Sequence, residues 1–447
     1  MSVQYPTLNR REWLRGASFV MAGAAFAAAE TDGMPDVANP RATSGDAVFE
    51  PDWDQRLTIT VGRANADIIG DSEKAIQAAV EYLARYGGGT VHVLPGRYTL
   101  RNSVFLRSGV RLLGSGDDTE LFKAPSVETQ LSADSDWYDQ EITLENSSGF
   151  NLGDGICLRA KSPHDGGAQV LKRTLIARSG NRFKLDRALR ENFWMSETPT
   201  VATLFPLVTA EEERGMVIEN IALDGNRNEN LHLDGNYSGC VWIQDCSDVL
   251  IRGVTARNNN GDGISWQVCH DVVVENCHSH DNADLGFHPG SGAQRPLMRN
   301  NRLMNNNIGI FFCWGVKYGL AEGNQIVGNN CGISIGHRDN HNHIRNNDVR
   351  DSVQVGVLFR PERGEGFTAN GNILEGNRIV NNGPEDGAAV DVQGVTSDNT
   401  IVANTIEETR EPAARAAIRL GEQTGDMDIR DNVIEGFATA VQDLRTS

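Results

Sequence analysis

The feature that most constrains this chain is a spacing. A glycine opens a short apolar segment at Gly239, Gly263, Gly286, Gly309, Gly332 and Gly356, at steps of 24, 23, 23, 23 and 24, and a longer step of 31 reaches Gly387. The residue after each glycine reads Cys240, Ile264, Phe287, Ile310, Ile333, Val357 and Ala388, and the third residue reads Trp242, Trp266, Pro289, Phe312, Ile335, Phe359 and Val390. The fourth residue is more polar, with Gln267, Arg360 and Asp391 among its members. Successive side chains on a strand point to opposite faces, so positions one and three predict a continuous interior and positions two and four an outward face. A second register, Asn276, Asn301, Asn324, Asn347, Asn377, Asn404 and Asn432, predicts a ladder of amides stacked from coil to coil. Short strands and Asn/Gly turns repeating at this period describe an all-β solenoid of parallel coils.

One helix precedes the repeat. Asp71 and Ser72 offer a cap, Ile76, Ala79, Val80 and Leu83 share a face, and Gly87-Gly88-Gly89 ends it. A switch to strand and turn follows at once, over 90–94, 103–106 and 110–113. Residues 119–214 break the period; Val170 to Arg178 and Arg182 to Leu185 flank Ser179-Gly180-Asn181 as a hairpin, which predicts a β-rich insertion between early coils.

The helix, the run Gly-Gly-Gly-Thr-Val-His-Val-Leu-Pro-Gly-Arg-Tyr from Gly87 and the later coils resemble the right-handed parallel β-helix proteins of the pectate-lyase-like superfamily, over about 60–118 and 215–445. The resemblance implies that the helix caps the N-terminal end of the coil stack. It leaves the reaction open, since the fold hosts lyases, hydrolases, epimerases and tailspike depolymerases.

Composition narrows the partners. A formal charge of −19 argues against a general phosphate-backbone binder, so no nucleic acid is expected. The seven cysteines show no pair of CxxC motifs and read as small buried hydrophobes rather than a zinc site. At the N-terminus, Arg10-Arg11, the uncharged run 16–29 and Ala27-Ala28-Ala29 have the order of an export signal of the twin-arginine type. The run is too short for a permanent span. Residues 1–29 are thus expected to be a signal, 30–55 a leader or linker and 56–447 the β-helix, with the mature protein periplasmic or extracellular.

Chemistry is expected on the outward side of the middle coils. That side holds Gln267, His288, Trp314, Lys317, His337, Arg338, Asp339, Arg360, Glu362 and Arg363. Across 286–363 nine basic residues stand against five acidic ones in an otherwise acidic chain, which suggests an anionic ligand. Breaking a 4-O-glycosidic bond in a uronate by β-elimination needs a base for the proton beside the carboxylate, cations to neutralise that carboxylate and an acid for the leaving oxygen. Lys317, His288 and His337 are candidate bases or acids, Arg338 and Arg360 candidate carboxylate ligands, and Trp314 a platform for a sugar ring.

The chondroitinase-B and alginate-lyase branch of β-helix lyases uses a Lys and, one coil later, an Arg. Lys317 in Gly-Val-Lys-Tyr-Gly and the run Gly-Ile-Ser-Ile-Gly-His-Arg-Asp-Asn are similarly placed, although strand register puts His337 rather than Arg338 second. No acidic group matching that branch's calcium site is recognisable, so no metal or other cofactor is predicted. The sequence reads first as a secreted polysaccharide lyase for an acidic glycan. The alternatives are a glycoside hydrolase using carboxylates such as Asp262, Asp284, Asp339 or Glu362, a uronate epimerase, and a glycan-binding solenoid.

Overall fold

A computed structural model describes residues 50–162, 165–411 and 413–445 of the protein. The expected signal over 1–29 lies outside the described residues.

From Thr58 onward the chain winds as a right-handed parallel β-helix. The coils contribute to a 22-stranded parallel sheet and to an 11-stranded parallel sheet. The latter stacks Val104–Phe105, Val208–Glu211, Val241–Gln244, Ile264–Gln267, Leu285–Pro289, Ile308–Phe311, Cys331–Ile335, Val355–Phe359, Ala388–Val392, Ala416–Leu420 and Thr439–Asp443. In-register parallel pairing at about 4.8 Å per strand turns equal offsets along the sequence into straight rows on the surface. The inward row reads Val241, Ile264, Phe287, Ile310, Ile333, Val357, Val390 and Ile418. All of these are fully buried in one continuous core. Truncating Phe287 to Ala would cost about 3–5 kcal/mol through lost burial and the cavity left behind.

The register corrects both ends of the glycine pattern. Val241 pairs with Ile264 and Val357 with Val390, so Cys240 and Ala389, not Gly239 and Gly387, stand in the column of Gly263, Gly286, Gly309, Gly332 and Gly356. Trp242 accordingly pairs with Ser265 in the outward row, and is not a core residue of position three. Within the column, glycine is required by close approach: a Cβ on Gly309 would stand 2.6 Å from the Gly332 carbonyl oxygen.

The amide ladder forms from Asn301 through Asn324, Asn347, Asn377 and Asn404 to Asn432. Each side-chain oxygen accepts from the backbone and side-chain nitrogens of the asparagine one coil earlier, at 2.8–3.0 Å. Asn276 is not a rung. Cys277 occupies that position and donates its N–H to Asn301, whereas Asn276 holds a left-handed turn at φ 53° in line with Asn300, Asn346 and Asp431. The ladder and the turn are neighbouring residues with different demands: amide donors and acceptors for one, tolerance of positive φ for the other.

The helix Glu73–Ala84 lays Ile76, Ala79, Val80 and Leu83 on the first core layer. It hides apolar surface that the stack would otherwise leave open at this end. Ser72 is extended at the cap position but its side chain makes no capping bond. Gly87 at φ 82° closes the helix, and the Gly88 N–H donates to Leu83.

Residues 128–202 supply a separate six-stranded sheet with antiparallel pairings and its own core around Phe150, Phe183, Leu185 and Phe193. There Ala168–Ser179 folds back on Arg182–Leu185.

Candidate active site

The outward row of the 11-stranded sheet runs Thr209, Trp242, Ser265, His288, Phe311, Ser334, Leu358 and Asp391. Its middle forms the floor of a cleft of about 640 Å³, whose walls include the loop at His232–Asn236 and the residues Trp314, His337, Arg360 and Arg363.

His288 is the most constrained group on that floor. Its Nδ1 lies 2.7 Å from Asp262 Oδ2 and 3.3 Å from Ser265 Oγ, and Ser265 in turn donates to the Gly235 carbonyl at 2.7 Å. Asp262 is wholly buried, and its other oxygen accepts the Leu285 N–H at 3.1 Å. Burial acts to lower the His288 pKa, but the charge and hydrogen bond of Asp262, with the Cys313 thiol, push it up to about 10. Burial raises the Asp262 carboxyl while His288 draws it down. The Nε2 atom is buried and is the ring nitrogen that neither Asp262 nor Ser265 holds.

The opposite side carries an imidazole of the other kind. Trp314 and His337 are 23 residues apart and adopt the same left-handed turn, at φ 57° and 53°. Their rings meet edge to face with centroids 6.3 Å apart. Burial, followed by the charges of Arg360 and Arg363, holds the His337 pKa below its usual 6.5. Trp314 is 42% exposed and sits between His337, Phe367 and the Arg363 guanidinium, whose carbon lies 5.8 Å from the ring centroid. Arg360 donates to Ser334 Oγ at 2.7 Å, to the Phe312 carbonyl at 2.6 Å and to Asp339 at 3.2 Å, and lies over the Phe311 ring. Its Nε is left without a partner. Burial pushes Asp339 up to about 7 against the pull of Arg360 and three backbone N–H groups.

Of the ten residues expected on the outward side, the cleft gathers His288, Trp314, His337, Arg360 and Arg363, and of the hydrolase carboxylates it gathers Asp262 and Asp284. The other five of the ten do not line it. Past the left-handed Trp314 and Gly315, Val316 turns into the core, and Lys317 bridges Gln294 and Asn340 at the next corner of the coil. Arg338 stacks on Phe367 and donates to the Gly366 carbonyl. Gln267 is buried, donating to Ser265 and accepting from the Ser291 N–H. Asp339 is wholly buried beneath Arg360, and Glu362 accepts the Val395 N–H.

The basic excess over 286–363 is likewise dispersed. Arg295, Arg299, Arg345 and Arg350 pair with Asp271, Glu275, Glu322 and Asp348 away from the cleft, leaving Arg360 and Arg363 to face it.

The sequence reading named Asp262 and Asp284 only as hydrolase carboxylates and missed their imidazole partners. Asp262 directly precedes a column glycine, so the period, extended by one residue, places it beside Leu285. His232, 2.6 Å from Asp284, comes from a loop outside the repeat, and no spacing signals it. Six of the seven cysteines are buried; Cys313, partly exposed, lines the cleft. Among the described residues no cluster of three or more His, Cys, Asp or Glu is arranged to hold a metal, and no helix is long and apolar enough to cross a membrane.

Residues 218–363 match the family model described as a right handed beta helix region. The fold is a right-handed parallel β-helix, as the sequence pattern and resemblance implied. Three solved structures illustrate the likeness. The A-module of a mannuronan C-5 epimerase from Azotobacter vinelandii shares 16% identity over 87% of this chain and 100% of its own, with a TM-score of 0.49. The tailspike gp61 of Pseudomonas phage phi297 shares 14% over 82% and 68%, with a TM-score of 0.46. An exopolygalacturonase from Thermotoga maritima shares 12% over 87% and 94%, with a TM-score of 0.45. No curated protein matches the chain.

Proposed function

We propose that the protein is a carbohydrate-active enzyme that cleaves a uronate-containing polysaccharide by β-elimination. The observation that carries this reading is the pair of imidazoles in one cleft whose environments drive them apart: His288 pushed up to about 10 and His337 held below 6.5. Near neutral pH one is an acid with its proton in place and the other a base ready to accept one, and such splitting assigns roles in acid–base catalysis.

His337 takes the proton on the carbon next to the uronate carboxylate. The electrons form the new carbon–carbon double bond as the glycosidic carbon–oxygen bond breaks, and His288 gives its Nε2 proton to the leaving oxygen. Arg360, with its unpartnered Nε, and Arg363 neutralise the carboxylate, which lowers the cost of the carbanionic transition state. Trp314 offers its exposed face to a sugar ring. Asp262 fixes the His288 ring and supplies its charge. The export signal expected over 1–29, with Arg10-Arg11, agrees with a polymer met outside the cytoplasm.

A hydrolase is the second reading, because Asp234 and Asp284 line the same cleft. The test is a panel of uronate polymers followed by ultraviolet absorbance of the unsaturated product. Signal from the wild type and from Lys317→Ala, with loss in His288→Ala and His337→Ala, supports the reading. No signal on any uronate, with reducing ends released from another glycan, overturns it.

A further inference from the structure

A second cavity lies between the first coils and the inserted sheet, with Lys172, Arg173, Thr209, Phe205 and Ile156 in its lining. Two hydrogen-bonding groups on its lining residues are unused. Lys172 Nζ is sealed from solvent and has no oxygen partner, and Thr209 Oγ1 is buried without one. The ammonium rests 3.0 Å from the centroid of the Trp242 ring, which attracts a cation through its face but accepts no conventional hydrogen bond.

Three cations line the cavity, Lys172, Arg173 and Arg187, against two carboxylates, Asp186 and Glu211. Arg173 spends its donors on the carbonyls of Lys172, Ala188 and Leu189. The nearby carboxylates Asp186 and Glu211 both turn to Arg187, at 3.9 and 3.7 Å. Burial brings Lys172 down to about 7 and Arg173 down to about 10, against the pull of Glu211 on the first and of Asp186 and Glu211 on the second. The cavity measures about 40 Å³. At about 10–15 Å³ for each water-sized occupant, it has room for three or four heavy atoms.

We infer that this cavity binds a small carboxylate, of formate or acetate size, whose oxygens accept from Lys172 Nζ and Thr209 Oγ1 while its carbon end meets Phe205 and Ile156. Such a ligand supplies the two missing acceptors, and its single charge balances the excess of three lining cations over two carboxylates. It bridges the inserted sheet, through Lys172, to the coil stack, through Thr209. The site is separate from the cleft and does not depend on the reaction assigned there.

Calorimetric titration of the full chain with sodium acetate and sodium formate, against sodium chloride at equal ionic strength, tests it. The wild type is expected to bind one acetate or formate saturably. Lys172→Met, which keeps the apolar stem, is expected to weaken binding at least tenfold, and Thr209→Val severalfold. Should Lys172→Met fail to fold, the Thr209→Val arm decides. Acetate heats no different from chloride, meaning the cavity holds water only, would overturn the inference. So would affinity unchanged in the variant that folds.

Discussion

Nδ1 of His288 lies 2.7 Å from Oδ2 of Asp262, with the two side chains 3% and 0% exposed. A buried charge that loses its charged partner is destabilising by about 3–5 kcal/mol. Asp262→Ala is therefore expected to lower stability by about that amount and activity by about 10²–10⁴-fold. The pair also sets a pH dependence. Because the folded His288 pKa is raised from 6.5 to about 10, its contribution is complete below about 6.5 and is lost as pH climbs toward 10. Urea midpoints at about pH 6 and about pH 9 should show this fall in the wild type and a flatter response in Asp262→Ala.

The two cleft imidazoles predict a bell-shaped profile for kcat/KM. Its acid limb comes from His337 and lies below 6.5; its alkaline limb comes from His288 and approaches 10. His337→Gln is expected to abolish the acid limb along with most of the rate, whereas Lys317→Ala should leave both limbs in place. Initial rates across the pH range check each arm.

Arg360 tests the carboxylate ligand. Arg360→Met strips Asp339 of its nearest cation, so the carboxyl, already at about 7, is pushed higher and takes a proton near neutrality. The expected outcome is a fall in kcat/KM of about a hundredfold and a stability loss of about 3 kcal/mol. Arg360→Lys should rescue neither fully, because one ammonium cannot reproduce the fork that reaches Ser334, Phe312 and Asp339. Steady-state kinetics and denaturation measure both.

Asn347→Ala would strand the backbone and side-chain nitrogens of Asn324 and the Ala321 carbonyl in the buried ladder. Each unsatisfied group costs about 1–3 kcal/mol, so a loss of at least about 3 kcal/mol is expected by urea denaturation. Asn307→Ala, which removes only a 3.1 Å contact with exposed Asn330, should change little.

What the sequence made legible follows the repeat. Isoleucines and phenylalanines at fixed offsets could be placed in the core because a parallel stack converts period directly into position. His288, Trp314, His337 and Arg360 could be placed on one side for the same reason. Lys317 does not line the cleft because two left-handed residues, Trp314 and Gly315, intervene and carry it round the corner, and no offset count contains that bend. Asn276 shows the same effect by a single residue. His232 and Lys172 come from segments outside the period, where spatial neighbours have no fixed sequence separation. Ion pairs such as Arg295 with Asp271 hid from a charge count that sums a stretch without asking which face each residue occupies.

The central claim, an acid and a base split across one cleft to eliminate rather than hydrolyse, is tested most directly by the mass of the products formed in heavy-oxygen water. Elimination predicts new non-reducing ends that are unsaturated and products that carry no heavy oxygen from the cleavage step. Saturated products with one heavy oxygen per cleavage would contradict it and move the chemistry to the carboxylates.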